Sequence, residues 1–201
     1  MGERTVTTEA TGTATCDPER AQVELTVARG GPTPDSARTA AEDGIERVRD
    51  SLSGNHRSRR TNVRITETTD FDDADETVVA AVSLAVDTDP DAAIDVVTAG
   101  ANAGAEIDGI EFGLEAETRN RLYERALEDG VERTRRRAET IVECERLALG
   151  KVISIETTER ALGEEPRSTL LDATSATPSA RNIRPNPIDV AVDVTATYRI
   201  V

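Results

Sequence analysis

The chain is predicted to be an α+β protein: mostly antiparallel sheets, with a long helix and two shorter helices packed on them. Three stretches predict it. Residues 188–201 alternate apolar and polar side chains over their whole length, residues 20–29 do the same, and residues 117–147 run without proline while keeping an apolar stripe at helical spacing. A period of two buries one face of a strand, and a period near 3.6 buries one stripe of a helix.

In chain order, residues 5–13 are rich in Thr and Val and read as a first strand. The turn Cys16-Asp17-Pro18-Glu19 leads into residues 20–29, where Ala21, Val23, Leu25 and Val27 face one way and Gln22, Glu24 and Thr26 the other. Two strands joined by so short a turn predict an antiparallel hairpin. After Gly30-Gly31-Pro32, Pro34 and Asp35 stand where a helix can start, and Ala37, Ala41, Ile45, Val48 and Leu52 follow at spacings of three and four. That pattern is an amphipathic helix ending near Gly54. Residues 56–60 read as a polar, basic connection, and residues 62–69 and 77–87 as strands on either side of an acidic turn. In the second of these, Val78, Ala80, Val82, Leu84 and Val86 alternate with Val79, Ala81, Ser83 and Ala85, so both faces are small or apolar. Such a strand belongs at the centre of a sheet with both faces covered.

Asp89-Pro90-Asp91 opens a short helix through Ala92, Val96 and Val97, because a prolyl ring and acidic residues both suit a first turn. Residues 100–104 end it, and residues 106–113 form the next strand. The long helix over 117–147, about eight turns, places Tyr123, Leu127, Val131, Thr134, Ala138, Ile141 and Ala148 on one stripe. Residues 151–157 are a further strand. In the last strand Ile188, Val190, Val192, Val194, Ala196, Tyr198 and Ile200 oppose Asp189, Asp193, Thr195, Thr197 and Arg199. Residues 163–187, with Pro166, Pro178, Pro185 and Pro187 among Ser, Thr, Ala and Arg, are expected to be a flexible loop. The expectation is a single domain over residues 1–201.

Charge narrows the environment. Asp and Glu total 39 against 24 Lys plus Arg, Lys151 is the sole lysine, and the formal charge is -15. Such a surface stays hydrated and dispersed where salt screens its self-repulsion, which describes a salt-rich cytoplasm and disfavours a nucleic-acid partner. At 201 residues the chain is long enough for a sizeable core without a disulfide or metal. Aromatics are only 2 % of it, so the core must be aliphatic and base-stacking or sugar-binding platforms are disfavoured.

The opening residues are polar and lack the apolar region of a secretory signal, so the expectation is a cytoplasmic protein. Ala14-Thr15-Cys16 has the small residues of a lipidation site but no upstream hydrophobic segment, and Val6 breaks the myristoylation pattern. No window is long and apolar enough for a membrane span.

The order of elements and the residues within them are similar to those of SIMPL-domain proteins. The segment 5–12 followed by Cys16-Asp17-Pro18-Glu19-Arg20-Ala21 resembles the family's first hairpin. Ala101-Asn102-Ala103-Gly104-Ala105 leading into Ile107-Asp108-Gly109-Ile110-Glu111-Phe112 resembles its second signature, and residues 126–138 and 147–155 resemble its long Ala-rich helix with the following turn and strand. The similarity spans roughly residues 3–201. It implies an α+β fold of this kind. It also implies the roles described for members: periplasmic antigens, oxidative-stress defence proteins, a signalling adaptor that associates with a kinase, and ring-like or channel-like homo-oligomers. The family carries no agreed catalytic residues, and members are often exported, whereas this chain is expected to lack a signal segment.

Several residues invite a chemical reading. His56 is the single histidine, in Asn55-His56-Arg57-Ser58-Arg59-Arg60; a hydrolase would need it as base, and a solvent-exposed linker is the simpler account. Cys16 and Cys144 are candidate redox thiols. No cation neighbours Cys16, carboxylates at Glu143 and Glu145 disfavour a thiolate at Cys144, and the spacing supports neither a zinc site nor a disulfide framework. Asp70, Asp72, Asp73, Asp75 and Glu76 lack the glycine and spacing of a calcium loop, and read as a solvated turn. Arg133, Arg135, Arg136 and Arg137 form the densest basic run, yet Asp129 and Glu132 stand four residues before Arg133 and Arg136, where ion pairs along a helix account for them. No phosphate loop, dinucleotide fingerprint or zinc-protease helix occurs. Neither a cofactor nor a metal is expected. The leading expectation is a non-enzymatic, homo-oligomeric scaffold or interaction module. The alternatives are a stress-defence protein with a reactive thiol or a small-ligand groove, and a kinase-associated adaptor.

Overall fold

A computed structural model describes residues 4–52, 54, 56–68, 77–159, 167–168 and 185–201. They form strands β1 (Thr5–Cys16), β2 (Arg20–Gly31), β3 (Arg57–Thr68), β4 (Thr77–Thr88), β5 (Glu106–Gly113), β6 (Leu149–Glu159), the two-residue β7 (Arg167–Ser168) and β8 (Ile188–Ile200), and helices α1 (Pro34–Ser51), α2 (Ala93–Asn102) and α3 (Ala116–Cys144). All strand pairs are antiparallel, in two sheets ordered β1-β8-β6 and β3-β4-β2-β5-β7. The α+β reading holds. Two compact units result, one built from β1, α3, β6 and β8, the other from β2 to β5, β7, α1 and α2.

In the first unit β1 and β8 pair over their full length, from Thr5 opposite Arg199 to Cys16 opposite Ile188. Their apolar sides carry Val6, Ala10, Val190, Val192, Val194, Ala196 and Tyr198, all buried. Toward the start of α3, Leu122 and Ala126 pack on Val190, Val192 and Val194; toward its end, Ala138 and Val142 pack on Val6, Ala196 and Tyr198. On the opposite side of the sheet the rungs are polar: Thr7 meets Thr197 at 2.9 Å, and Thr11 and Thr15 donate to Asp193 and Asp189 at 2.6 Å each.

The second unit folds around Val23, Leu25 and Val27 of β2 and Val82, Leu84 and Val86 of β4. Over them lie Ala37, Ala41, Ile45 and Val48 of α1, the stripe expected from the sequence, with Ala93 and Val96 of α2. Thr33 caps α1: its hydroxyl accepts from the Ser36 backbone N–H at 3.2 Å, and the Ser36 hydroxyl accepts from the Thr33 N–H at 3.1 Å. A 3-10 turn, Pro90–Ala92, feeds α2, which closes where Gly104 takes φ 85 and the Ala105 N–H reaches back to the Gly100 carbonyl at 3.0 Å. That geometry favours glycine, since a side chain there is strained.

Five expectations need correction. The hairpin of the first two strands does not form: both edges of β2 are taken, by β4 and β5, and β1 pairs with β8. Residues 57–60 are not a connection but the start of β3, because pairing with β4 imposes a strand on a segment whose own pattern does not ask for one. β4 is interior, but β2 holds the sheet centre, and Val79, Ala81 and Ser83 of β4 are half-buried, so its second side is not fully covered. The buried stripe of α3 is Thr118, Leu122, Ala126, Gly130, Thr134, Ala138 and Val142. It is rotated from the expected one, leaving Ile141 exposed. Finally, α3 stops at Cys144, where Arg146 adopts φ 56 and the Leu147 N–H bonds the Val142 carbonyl at 2.9 Å. The expected loop over 163–187 lies outside the described residues, apart from 167–168 and 185–187.

Candidate functional site

The structure separates the two thiols. Cys16 ends β1, half-buried beside the cluster that contains Leu122, whereas Cys144 ends α3, exposed, two residues beyond Val142 of the other cluster. The 20 helical steps from Leu122 to Val142 span about 30 Å at ~1.5 Å each. Disulfide geometry requires Cα atoms within ~7 Å, so Cys16 and Cys144 are separate free thiols.

His56 stands just before β3 and is half-buried, where the sequence suggested an exposed linker; a Cβ on Gly54 would lie 3.1 Å from its Nε2. The acidic run Asp70, Asp72, Asp73, Asp75 and Glu76 lies outside the described residues. Among the described residues no three His, Cys, Asp or Glu side chains converge as a metal site, and no helix is long and apolar enough to cross a membrane. The basic run of α3 is occupied along the chain's own surface. Arg133 pairs with Asp129 at 3.0 Å, Arg135 with Glu139 at 3.0 Å, Arg136 with Glu132, and Arg137 donates to the Glu9 carbonyl.

The uncommon features are instead at the sheet margins. β3 and β6 each end a sheet, so among the described residues one side of each offers unpaired backbone N–H and C=O groups. Val63 and Ile65 of β3 are 43 % and 45 % exposed; Val152, Ile153 and Ile155 of β6 are 49 %, 50 % and 46 % exposed. These are five of the seven large exposed aliphatics among the described residues, the others being Ile141 and Val201. Among the described residues, open strand edges and exposed aliphatic side chains therefore coincide at β3 and β6.

β3 is also basic. Arg57, Arg59, Arg60 and Arg64 lie within eight residues of an otherwise acidic chain, all exposed. Arg60 reaches Glu42 of α1 at 3.5 Å, while Arg57, Arg59 and Arg64 make no ion pair within the described residues. Sequence reading saw the charge but placed it in a linker. The alternation of a strand is masked by arginines and by the bulge between Arg60 and Asn62.

Among curated protein sequences, none matches this chain. A family model does: SIMPL, described as a protein of unknown function (DUF541), matches residues 6–198. That span runs from the first strand to the last, through both sheets and all three helices, and the chain belongs to the SIMPL family.

Proposed function

We propose that this protein is a non-enzymatic, homo-oligomeric scaffold or interaction module, at work in the cytoplasm of a salt-adapted cell. The observation that carries this reading is the coincidence of aliphatic exposure with the edges of β3 and β6 that are unpaired among the described residues. A monomer gains nothing from long, apolar, open edges; they expose it to uncontrolled pairing, and soluble proteins ordinarily blunt them with charge, bulges or cover. The bulges in β3 and β6 and the arginines of β3 are devices of that kind and limit uncontrolled pairing, while the aliphatic side chains beside them stay exposed. The acidic remainder of the surface keeps the assembly dispersed at high salt. Light scattering on Ile65→Lys and Ile155→Lys in molar KCl tests the role of the edges: each variant should shift the solution mass below that of the unaltered protein. Equal masses for all three would remove the edges from the account.

A further inference from the structure

The open edges of β3 and β6 carry matching side chains. In antiparallel ladders directly opposed residues share a face. Pairing with β4 therefore puts Val63 and Ile65, opposite Val82 and Ala80, on the side of the five-stranded sheet that packs on α1, and Arg64, opposite Ala81, on the other side. In the three-stranded sheet Ile155 and Thr157, opposite Ala196 and Val194, lie on the side that α3 covers, while Ser154, Glu156 and Thr158, opposite Thr197, Thr195 and Asp193, lie with the polar rungs. Residues 62–66 of β3 and 154–158 of β6 are regular stretches, with bulges beside them between Arg60 and Asn62 and between Val152 and Ser154. All ten residues are exposed.

We infer that the edge of β3 in one copy takes the edge of β6 in a second copy of the same chain, antiparallel and in one register: Asn62 opposite Thr158, Val63 opposite Thr157, Arg64 opposite Glu156, Ile65 opposite Ile155, and Thr66 opposite Ser154. The inference rests on the oligomeric reading above and names the two surfaces it uses. Strand addition pairs the open backbone groups of both edges. Side chains select the register. Arg64 meets the Glu156 carboxylate on the polar side of both strands, and Ile65 meets Ile155 on the helix-bearing side, with Val63 diagonal to Ile155. A slip of one residue turns the aliphatic side chains of one strand onto the polar side of the other. A slip of two residues one way sets Arg64 against Ser154 and Ile65 against the bulge at Ile153; the other way it sets Arg64 against Thr158 and Ile65 against Thr157. Like edges match less well. A β3–β3 contact that sets Val63 against Ile65 also sets Arg64 against Arg64, and a β6–β6 contact centred on Ile155 leaves Glu156 opposite Ser154 without a cation. The contact is accordingly heterologous, each copy offering β3 to one neighbour and β6 to another.

The experiment is sedimentation equilibrium in molar KCl on the unaltered chain, Ile65→Lys, Ile155→Lys and an equimolar mixture of the two variants. Both positions are exposed, and circular dichroism checks that each variant folds. Lysine on an edge strand opposes pairing, so each variant alone should run as a single chain. The mixture should give a one-to-one pair and nothing larger, because the intact β6 of the Ile65→Lys copy meets the intact β3 of the Ile155→Lys copy and the remaining edges are blocked. A variant that still pairs with itself, or a mixture that stays as single chains while the unaltered protein assembles, would overturn the β3–β6 contact and leave the scaffold reading intact. The register is read from Arg64→Glu, Glu156→Arg and both changes in one chain, at the lowest KCl concentration at which circular dichroism shows the fold, where charge is least screened. Each single change should weaken association about threefold or more, since like charges then oppose each other, and the double change should restore it. Weakened single variants without recovery in the double would overturn the register. An unaltered protein that stays a single chain at every concentration would overturn both the contact and the oligomeric reading.

Discussion

The backbone of Gly12 in β1 lies directly against the backbone of Gly130 in α3, and neither position has room for a side chain. A Cβ on Gly12 would fall 1.9 Å from the Ala126 carbonyl oxygen and 2.3 Å from the Gly130 nitrogen; one on Gly130 would fall 2.6 Å from Val194 Cγ2. The obstacles to Gly12 are backbone atoms of a helix, which cannot rotate aside. This contact sets how closely α3 approaches its sheet, and it explains why the buried stripe of the helix runs through Ala126, Gly130 and Thr134.

Gly12→Ala should therefore destabilise the protein by at least the ~1–3 kcal/mol of ordinary overpacking, and Gly130→Ala by a smaller amount within that range, since Val194 is a side chain that can shift. Gly109→Ala, whose Cβ would meet nothing within 4 Å, is the comparison and should change stability little. Denaturant melts in molar KCl read the three. Equal stability of Gly12→Ala and Gly109→Ala would contradict the close approach.

At the other end of α3, Arg146 occupies a left-handed conformation, φ 56, that glycine adopts without strain. Arg146 is exposed. Arg146→Gly should stabilise the protein by about 1 kcal/mol, the cost of a left-handed non-glycine residue. A loss of stability would show that the arginine side chain contributes more than the strain takes away.

The capping box of α1 gives a change of opposite sign. Thr33→Ala removes the hydroxyl that accepts from the Ser36 N–H and should lower stability by ~1 kcal/mol, whereas Thr33→Ser should keep it. Thermal melts monitored at the helix band distinguish them, and identical curves for alanine and serine would sink the assignment.

The two thiols should never join. After treatment with a disulfide-forming oxidant, the mass of the single chain under denaturing conditions should show no intramolecular bridge, because Cys16 and Cys144 belong to opposite ends of one unit. Peroxide consumption by Cys16→Ser and Cys144→Ser should equal that of the unaltered protein. A slower rate in the Cys16 variant would favour stress-defence chemistry over the scaffold.

Much of the fold was legible in the residues. The alternation in β8, the stripe of α1 and the span of β5 follow from local patterning, because each buries one face against a single partner layer. The pairing of β1 with β8 was not legible, since those strands are separated by nearly the whole chain and a short turn after Cys16 points to the nearer partner. The α3 stripe was misplaced because Tyr123, Leu127 and Val131 are the larger apolar residues, while closeness to Gly12 selected the smaller ones. β3 was missed where arginines replace its apolar alternation. The open margins of β3 and β6 required knowing strand order, which no local pattern encodes.

The central claim is that the chain assembles, and multi-angle light scattering on the purified protein in molar KCl tests it most directly. The account predicts one defined mass, a whole-number multiple, two or greater, of 21.6 kDa, that persists on dilution into the working range. A single species at 21.6 kDa across all concentrations would contradict it.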